Sequence, residues 1–344
     1  MNMWAYVVRR LLLIIPVLIG VTLLVFAVSQ MFTPEERASA FIKEPKQAVD
    51  IENIIQKYHL RDPVHVQYFN WLKELSHGNL GFSSVAAMPV WDALIYFLPN
   101  TAELALFTVI LMIPISIWLG SISAVKQGKA ADHACRLFAI VGWSLPSFWI
   151  SLIFLMVFYG YFEGALPPEA LGYDAGMYVH SANFVRYTRI NTIDALLNGE
   201  LWVFGDALRH LILPVLTLTI AQCAMIMRIM RSSMLESLGK GYITTARAKG
   251  ASEKTVIKKH ARRNAMIPVL TVSGWAFGWL MGGVVITETV FNRKGLGWWW
   301  AKSATQLDIP AILSAALFMG IVFVITNLIV DLLYAYMDPR VRLG

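Results

Sequence analysis

Residues 231–264 read RSSMLESLGKGYITTARAKGASEKTVIKKHARRN, a basic segment that lies between two apolar runs. The run before it covers residues 211–227 and the run after it covers residues 266–287, and neither holds a charged residue. Apolar runs of roughly 20 residues are long enough to cross the hydrocarbon core of a bilayer as helices. An apolar run, a basic loop and a second apolar run therefore predict an integral membrane protein.

Four further uncharged runs lie outside this segment, at residues 11–31, 104–125, 137–162 and 309–330. Backbone groups in lipid must be satisfied within the segment, so each run is expected to be helical. The fold class is therefore predicted to be an all-α integral membrane protein with six transmembrane helices. With their flanks, the predicted spans are 8–31, 100–125, 136–162, 208–230, 266–287 and 309–334.

The composition supports a membrane protein and one domain. Hydrophobic residues make up 57% of the 344 residues and charged residues 15%, whereas a soluble protein carries about 25% charged residues. We treat residues 1–344 as a single transmembrane domain. The net charge of +7 indicates orientation in the bilayer and is not interpreted as nucleic-acid binding. Cys135 and Cys223 are expected to be small buried apolar side chains.

The distribution of charge predicts which loops face the cytoplasm. The short inner segments are rich in Lys and Arg, whereas the longer outer segments are richer in acids. This pattern places both termini in the cytoplasm. It makes 32–98 and 163–207 extracellular loops, which carry enough aromatic residues to fold, and 231–265 a cytoplasmic loop. The first run could be a signal peptide, but its length and the five runs after it favour a retained helix.

The cytoplasmic loop is predicted to contain a short helix and a break. Gly239 and Gly241 interrupt a first helical stretch, residues 242–249 are good helix formers, and Gly250 is a C-terminal cap signal. Ser252 then starts a second basic helix that leads to Pro268. The short helix has a surface of small side chains, which would allow another protein to approach closely. Contact with anionic lipid headgroups would explain the basic residues equally well, so the residues alone leave both readings open.

Several segments resemble one family of membrane proteins. Thr244-Thr245-Ala246, Gly250 and Pro268 stand where permease subunits of binding-protein-dependent ABC importers carry Glu-Ala-Ala, Gly and a closing Pro. Thr244 and Thr245 depart from that general signature but match its dipeptide and oligopeptide (peptide/nickel) branch. The resemblance continues in order along the chain, at residues 77–83, 98–104, 144–149, 260–268, 288–297 and 331–340.

The resemblance implies a type I ABC importer permease fold in the inner or plasma membrane. Its partners would be a second homologous permease subunit, two ATPase subunits, an extracellular solute-binding protein and the lipid bilayer. The chain itself would not be an enzyme and would hold no cofactor, because the ATPase subunits would bind ATP-Mg. In agreement with this, the sequence contains no phosphate-binding loop motif. The implied ATPase-coupling residues are Tyr242, Thr244, Thr245, Ala246, Lys249, Gly250 and Pro268.

Short peptides are the cargo that the resemblance implies first. The same transporter type could import oligosaccharides or nickel. The aromatic residues of the outer loops favour an oligosaccharide among these alternatives. The three adjacent tryptophans at 298–300 are expected to be packing residues or interfacial anchors, although they could form a sugar-stacking surface. A membrane-embedded hydrolase that uses Ser144, Ser147 and His210 is a remote alternative, because no motif supports it.

Polar residues in or beside the spans are expected to be satisfied locally. Glu103, Arg209, His210 and Asp331 lie near predicted boundaries, where snorkelling or local pairing suffices. The deeper pair, Gln222 and Asn327, is expected to form hydrogen bonds between helices. The spans contain no chain of acids or histidines at mid-depth, which argues against a proton-coupled transporter.

Overall fold

A computed structural model describes residues 3–42 and 51–337 of the chain. The described part is mainly helical. Residues 43–50 of the loop 32–98, and residues 338–340 of the C-terminal segment that carries part of the family resemblance, lie outside the described residues. The long helices are α1 (Met3–Ser29), α5 (Val90–Val125), α10 (Leu201–Leu238), α13 (Arg262–Met281) and α16 (Ile309–Met337).

Four helices in the described part are long and apolar enough to cross a membrane. They are Val7–Ser29 within α1, all of α5, all of α10, and Ile309–Ala335 within α16. A bent pair of helices makes a fifth candidate if it counts as one span. The predicted spans 8–31, 100–125, 208–230 and 309–334 overlap these four candidates, so the chain is a multi-pass membrane protein.

The region of the predicted span 136–162 is divided into two helices that meet at a sharp bend. The structure has α6 (Ala130–Ser144) and α7 (Ser147–Phe154), which continues as a wider π-helical turn over Leu155–Tyr161. The two parts meet at an angle of 100°. Pro146 explains the break, because a proline disfavours helical backbone in the residue before it, and Leu145 is extended with φ −81° and ψ 126°.

The predicted span 266–287 is wrong at its C-terminal end. Its helix, α13, stops at Met281 and is not among the membrane-span candidates. Gly283 follows with φ +90°, a backbone conformation that favours glycine, and a new short helix, α14, covers Val285–Val290. The uncharged run of residues 266–287 therefore extends beyond the C-terminal end of the helix.

The two long loops are folded. Loop 32–98 holds α2 (Pro34–Ala38), α3 (Ile51–Lys57), α4 (Val64–Ser76) and an antiparallel hairpin of β1 (Phe82–Ser83) and β2 (Met88–Pro89). Loop 163–207 holds α8 (Tyr173–Tyr178) and α9 (Asn191–Leu197). The aromatic residues of these loops supply small apolar cores of their own, in which Phe41 stacks on Tyr58 at 4.4 Å and Phe184 meets Tyr178 edge-on.

The tryptophans at 298–300 mainly pack inside the protein. They lie on α15 (Leu296–Thr305), where Trp299 is fully buried and Trp300 is 8% exposed. Trp299 stacks on Phe97 at 5.4 Å and donates a hydrogen bond of 3.2 Å to Ser83 Oγ. The predicted packing role is therefore confirmed for these two residues, whose faces are not available to a sugar.

One buried ion pair joins α5 to the segment after α14. Arg293 donates to Glu103, and the side chains of both residues are at most 1% exposed. Glu103 also accepts hydrogen bonds of 2.9 Å from the backbone N–H and the hydroxyl of Thr192 in α9. The local pairing that was predicted for Glu103 is thus confirmed. Its side chain is more deeply buried than we expect for a residue near the edge of the membrane.

Candidate functional site

The basic segment 231–264 folds as the sequence predicts. Helix α10 ends at Leu238, and α11 covers Gly241–Ala248. A short helix, α12 (Glu253–Thr255), and a π-helical turn, Val256–Ala261, then lead directly into α13. The Ser252 hydroxyl caps the second helical stretch by accepting from the backbone N–H of Thr255. The predicted order of helix, short helix, break and helix is confirmed.

Helix α11 is held against the protein by one face. Ile243 is completely buried in the main apolar core, which α5, α10 and α13 also build. Ala246, three residues later and so on the same side of the helix, is partly buried against that core. The structure therefore places Ala246, one of the predicted coupling residues, on the inner face of the helix.

The opposite face of α11 is open. Tyr242 is 41% exposed, and Thr244, Thr245 and Ala248 are also exposed. Apart from Tyr242 these side chains are small, and the Thr245 hydroxyl bonds back to the Gly241 carbonyl at 3.1 Å. A partner surface could therefore approach the helix backbone closely without displacing anything.

Gly250 ends the helix in the manner that the sequence indicates. Its φ is +78°, and its N–H bonds to the Arg247 carbonyl at 2.9 Å. The N–H of Ala251 bonds to the carbonyl of Ala246 at 3.2 Å. This pair of bonds is a Schellman motif, in which a left-handed residue satisfies the last carbonyls of a helix. Lys249, at the C-cap, is exposed beside it.

Two side-chain contacts tie α11 to the segment that follows it. Arg247 makes a two-point ion pair with Glu253, at 2.7 and 3.1 Å, and this hydrogen bonding holds the pKa of the Glu253 carboxyl below its ordinary value. Asn264, in the first turn of α13, donates to the Tyr242 hydroxyl at 3.1 Å. The helix is thereby oriented relative to α13 as well as to the core.

A further ion pair fixes the other end of the loop. Arg231, near the end of α10, pairs with Asp132 in α6, whose side chain is 1% exposed. Asp132 also accepts from the Ser123 hydroxyl at 2.6 Å and from the N–H of Gly128 at 3.0 Å. The C-terminal parts of α5 and α10 and the start of α6 are therefore joined at one carboxylate.

Six of the predicted site residues lie together on α11 and its C-terminal turn, and one does not. Pro268 is exposed within α13, further along the chain. Sequence reasoning missed Ile243, Asn264, Asp132 and Arg231 as supporting residues. A signal existed for Ile243, because it is the one large aliphatic residue among 241–250. The Asp132–Arg231 pair spans 99 residues, so no local pattern could have shown it.

The charged and histidine side chains near the predicted boundaries have local partners. Arg209 donates to the carbonyls of Ala165 and Gly164, each at 2.7 Å, and Asp331 pairs with Arg10 at 2.8 Å. Buried His210 bonds to the Asp206 carbonyl in its own helix. Within the described residues no hydrogen bond joins His210 to Ser144 or Ser147, so the three residues of the hydrolase alternative do not form a unit.

The chain matches a known family over most of its length. Residues 116–343 match the family described as "Binding-protein-dependent transport system inner membrane component". The matched region includes α6 to α16 and so contains the whole of the segment around α11.

Full-length relatives agree with this match. The chain is 38% identical to the probable D,D-dipeptide transport system permease protein of Escherichia coli, over 100% of this chain and 99% of that protein. It is 38% identical to a dipeptide transport system permease protein of Alkalihalophilus pseudofirmus, over 99% and 100%. It is 36% identical to an oligopeptide transport system permease protein of Bacillus subtilis, again over 99% and 100%. With its several membrane helices and these matches, the chain belongs to the family of inner membrane components of binding-protein-dependent transport systems.

Proposed function

We propose that this chain is one of two permease subunits of an ATP-driven importer that takes up short peptides. A solute-binding protein outside the cell would deliver the cargo, and two ATPase subunits would bind and hydrolyse ATP on the cytoplasmic side. The chain itself would supply the pathway and the mechanical link. The printed names of the relatives support a peptide cargo, since they include dipeptide and oligopeptide systems.

The exposed outer face of α11 is the observation that carries this proposal. A short helix that buries one isoleucine and exposes Tyr242, Thr244, Thr245 and Ala248 suits insertion into a groove of another protein. Lipid headgroups would also be attracted to the basic residues of the loop, but they need no small-residue face. We therefore assign α11 as the coupling helix that sits in an ATPase.

The membrane arrangement belongs to the same proposal. Six crossings would result if the bent pair α6–α7 and the helix α13 each cross the bilayer, in addition to the four straight candidates. An even number of crossings puts both termini on one side, and the basic segment 231–264 favours the cytoplasm for that side. Loops 32–98 and 163–207 would then face the binding protein.

The experiment compares two identical substitutions on exposed alanines. In the Ala248→Trp variant, the large ring would fill the space that the ATPase groove needs. In Ala130→Trp, the same ring stands at the start of α6 on another predicted cytoplasmic turn. Each variant is purified with the second permease and the ATPases and reconstituted into vesicles with the binding protein, and uptake of labelled alanyl-alanine is measured.

We expect Ala248→Trp to insert and to keep the second permease, but to lose the ATPase subunits and the uptake. Ala130→Trp should keep both. Normal ATPase binding and uptake by Ala248→Trp would show that α11 is no coupling helix. Failure of the unmodified complex to import alanyl-alanine or longer peptides would instead contradict the cargo.

A further inference from the structure

The two predicted spans that are not continuous helices are both interrupted at one cavity. This cavity has a volume of about 450 Å³. Its wall includes Leu145 and Ser147 from the break between α6 and α7, and Gly283 to Thr287 from the break after α13. Residues of α10 and two tryptophans of α13, Trp275 and Trp279, complete it.

Interrupted helices at membrane depth leave backbone polar groups without helical hydrogen-bond partners. Such non-helical backbone is tolerated where it is buried in protein or lines a water-filled cavity, because lipid cannot satisfy the freed polar groups. At the first break Pro146 has no N–H, so the Gly142 carbonyl has no partner at its normal helical position. In membrane transporters, broken helices of this kind commonly surround the path of the cargo.

The cavity wall also holds an amide without a partner. Gln222 of α10 lines the cavity, and within the described residues its side chain makes no hydrogen bond. The predicted hydrogen bond between helices is therefore absent for Gln222 in the described part of the chain. A carboxamide has one C=O acceptor and an NH₂ donor, so it can pair with both polar groups of a peptide bond.

We propose that this cavity is the place where the cargo touches this chain, and that Gln222 hydrogen-bonds to the main-chain amide of a passing short peptide. None of the described residues that line the cavity is charged, so the polar contact that Gln222 offers there is a neutral hydrogen bond, which suits the main-chain amide of a peptide. The volume lies within the roughly 300–1,000 Å³ typical of small-molecule sites. Contact through the main chain would accept peptides whatever their side chains.

This inference rests on the proposed peptide cargo. The test distinguishes a failure of the Gln222 contact from a failure of the proposed cargo. The Gln222→Met variant keeps the length of the side chain and removes the amide. Asn327→Leu is the matched control, because Asn327 is another amide within a span candidate but is exposed and lies outside the cavity. Each complex is reconstituted with its partners, and the maximal rate of alanyl-alanine uptake and the ATP hydrolysed are both measured.

We expect the maximal uptake rate of Gln222→Met to fall about threefold to tenfold, as loss of one neutral hydrogen bond predicts. ATP hydrolysis stimulated by the loaded binding protein should stay unchanged, and Asn327→Leu should behave like the unmodified chain. Unchanged uptake by Gln222→Met would overturn the inference. Loss of the second permease from the Gln222→Met complex would also overturn it, since the cavity would then be a subunit interface. No uptake by the unmodified complex would overturn the proposed cargo itself.

A second measurement does not depend on the Gln222 variant. The Ser147→Cys substitution places a thiol on the cavity wall, while the native thiols of Cys135 and Cys223 are buried. We expect alanyl-alanine to slow the alkylation of the introduced thiol by a maleimide during ATP-driven turnover, but not when ATP is left out. Equal rates of alkylation with and without the dipeptide during turnover would contradict occupancy of the cavity by the cargo.

Discussion

Arg231 and Asp132 are 99 residues apart in the sequence and meet in a two-point ion pair, with N–O distances of 2.8 and 2.9 Å. Arg231 stands shortly before the segment that leads to α11, and Asp132 is anchored to the turn between α5 and α6. The pair therefore ties the part of α10 that precedes α11 to the start of α6 and, through Ser123, to the end of α5. If α11 moves with an ATPase as proposed, the pair would be a second connection, beside the chain itself, between the loop and the membrane helices.

The first prediction concerns the stability of this pair. Arg231→Gln removes the partner of a carboxylate that is 1% exposed, which typically costs about 3 kcal/mol. We expect the free energy of unfolding to fall by that order, measured by denaturation in detergent micelles. The double variant Arg231→Gln/Asp132→Asn should be less destabilised than Arg231→Gln alone, because no charge is then left buried without a partner.

A double-mutant cycle decides whether the two residues act together. If the effects of Arg231→Gln and Asp132→Asn simply add, the pair contributes no coupling energy. The matched control is Arg247→Gln, which breaks an ion pair that is exposed on both sides and should change the stability little.

The second prediction concerns the attachment of α11. Ile243→Ala removes the buried side chain by which the helix is fixed, and such truncations cost roughly 2–5 kcal/mol. Since the helix is short, we expect it to detach locally while the main core stays folded. Hydrogen exchange should accelerate at the amides of 241–248 and remain slow in α5 and α10.

Thr244→Ala is the control for this experiment, because it changes the exposed neighbour of Ile243. Exchange in α11 should be unaffected there. Uniform acceleration of exchange over the whole protein in Ile243→Ala would show that the isoleucine supports the global fold and has no separate role in α11.

The third prediction concerns Gly250, which has a φ of +78° but open space where a Cβ atom would lie. Any substitution therefore acts through the backbone and not through a clash. Left-handed backbone costs an L-residue roughly 1–2 kcal/mol, and asparagine tolerates it best. We expect order in α11 and uptake to decrease from Gly250→Asn through Gly250→Ala to Gly250→Val, followed by hydrogen exchange and transport assays.

The reverse order, with alanine tolerated better than asparagine, would mean that polarity or size at this position matters more than its conformation. A bulky substitution such as Gly250→Phe is less informative, since it changes conformation and surface together.

The fourth prediction concerns the buried pair of Arg293 and Glu103. Arg293→Met leaves the Glu103 carboxylate without its cation at a position that is 1% exposed, which is expected to cost about 3–5 kcal/mol. Thermal unfolding of the purified chain would measure the loss. The variant Arg293→Met/Glu103→Gln should recover part of it, because the amide is neutral and its oxygen still accepts from Thr192.

Lys294→Met is the neighbouring control. Lys294 is exposed, with its ammonium 5.5 Å above the Trp298 ring, so its removal should have a small effect. An equal loss of stability in Lys294→Met and Arg293→Met would show that the buried pair has no special role.

Local signals made much of the fold predictable. The short helix α11 and its end at Gly250 were predicted, because cap and break signals lie within a few residues of it. The two interrupted spans were not. Proline within a membrane helix often causes only a kink, so Pro146 alone does not predict a bend as large as 100°. At the second break the adjacent Gly282 and Gly283 were a usable signal, which the apolar residues after them concealed.

Contacts between distant residues lay beyond the reach of sequence patterns. The pairs Arg231–Asp132 and Arg293–Glu103 join elements that are far apart in the chain. The predicted docking of α11 to an ATPase stays a prediction, whereas its position on the surface is now described. Gln222 has no hydrogen-bond partner among the described residues, and this depends on how helices distant in the sequence pack around it.

The single buried isoleucine of α11 has a consequence for engineering. Because Ile243 and the backbone cap at Gly250 hold the helix, we expect exchange of the exposed side chains of Thr244, Thr245 and Ala248 to leave the fold intact. Residues 241–248 thus form a small replaceable cassette. If α11 docks to an ATPase as proposed, rewriting its outer face would direct this subunit to a different ATPase and allow two importers to work in one cell without exchanging subunits.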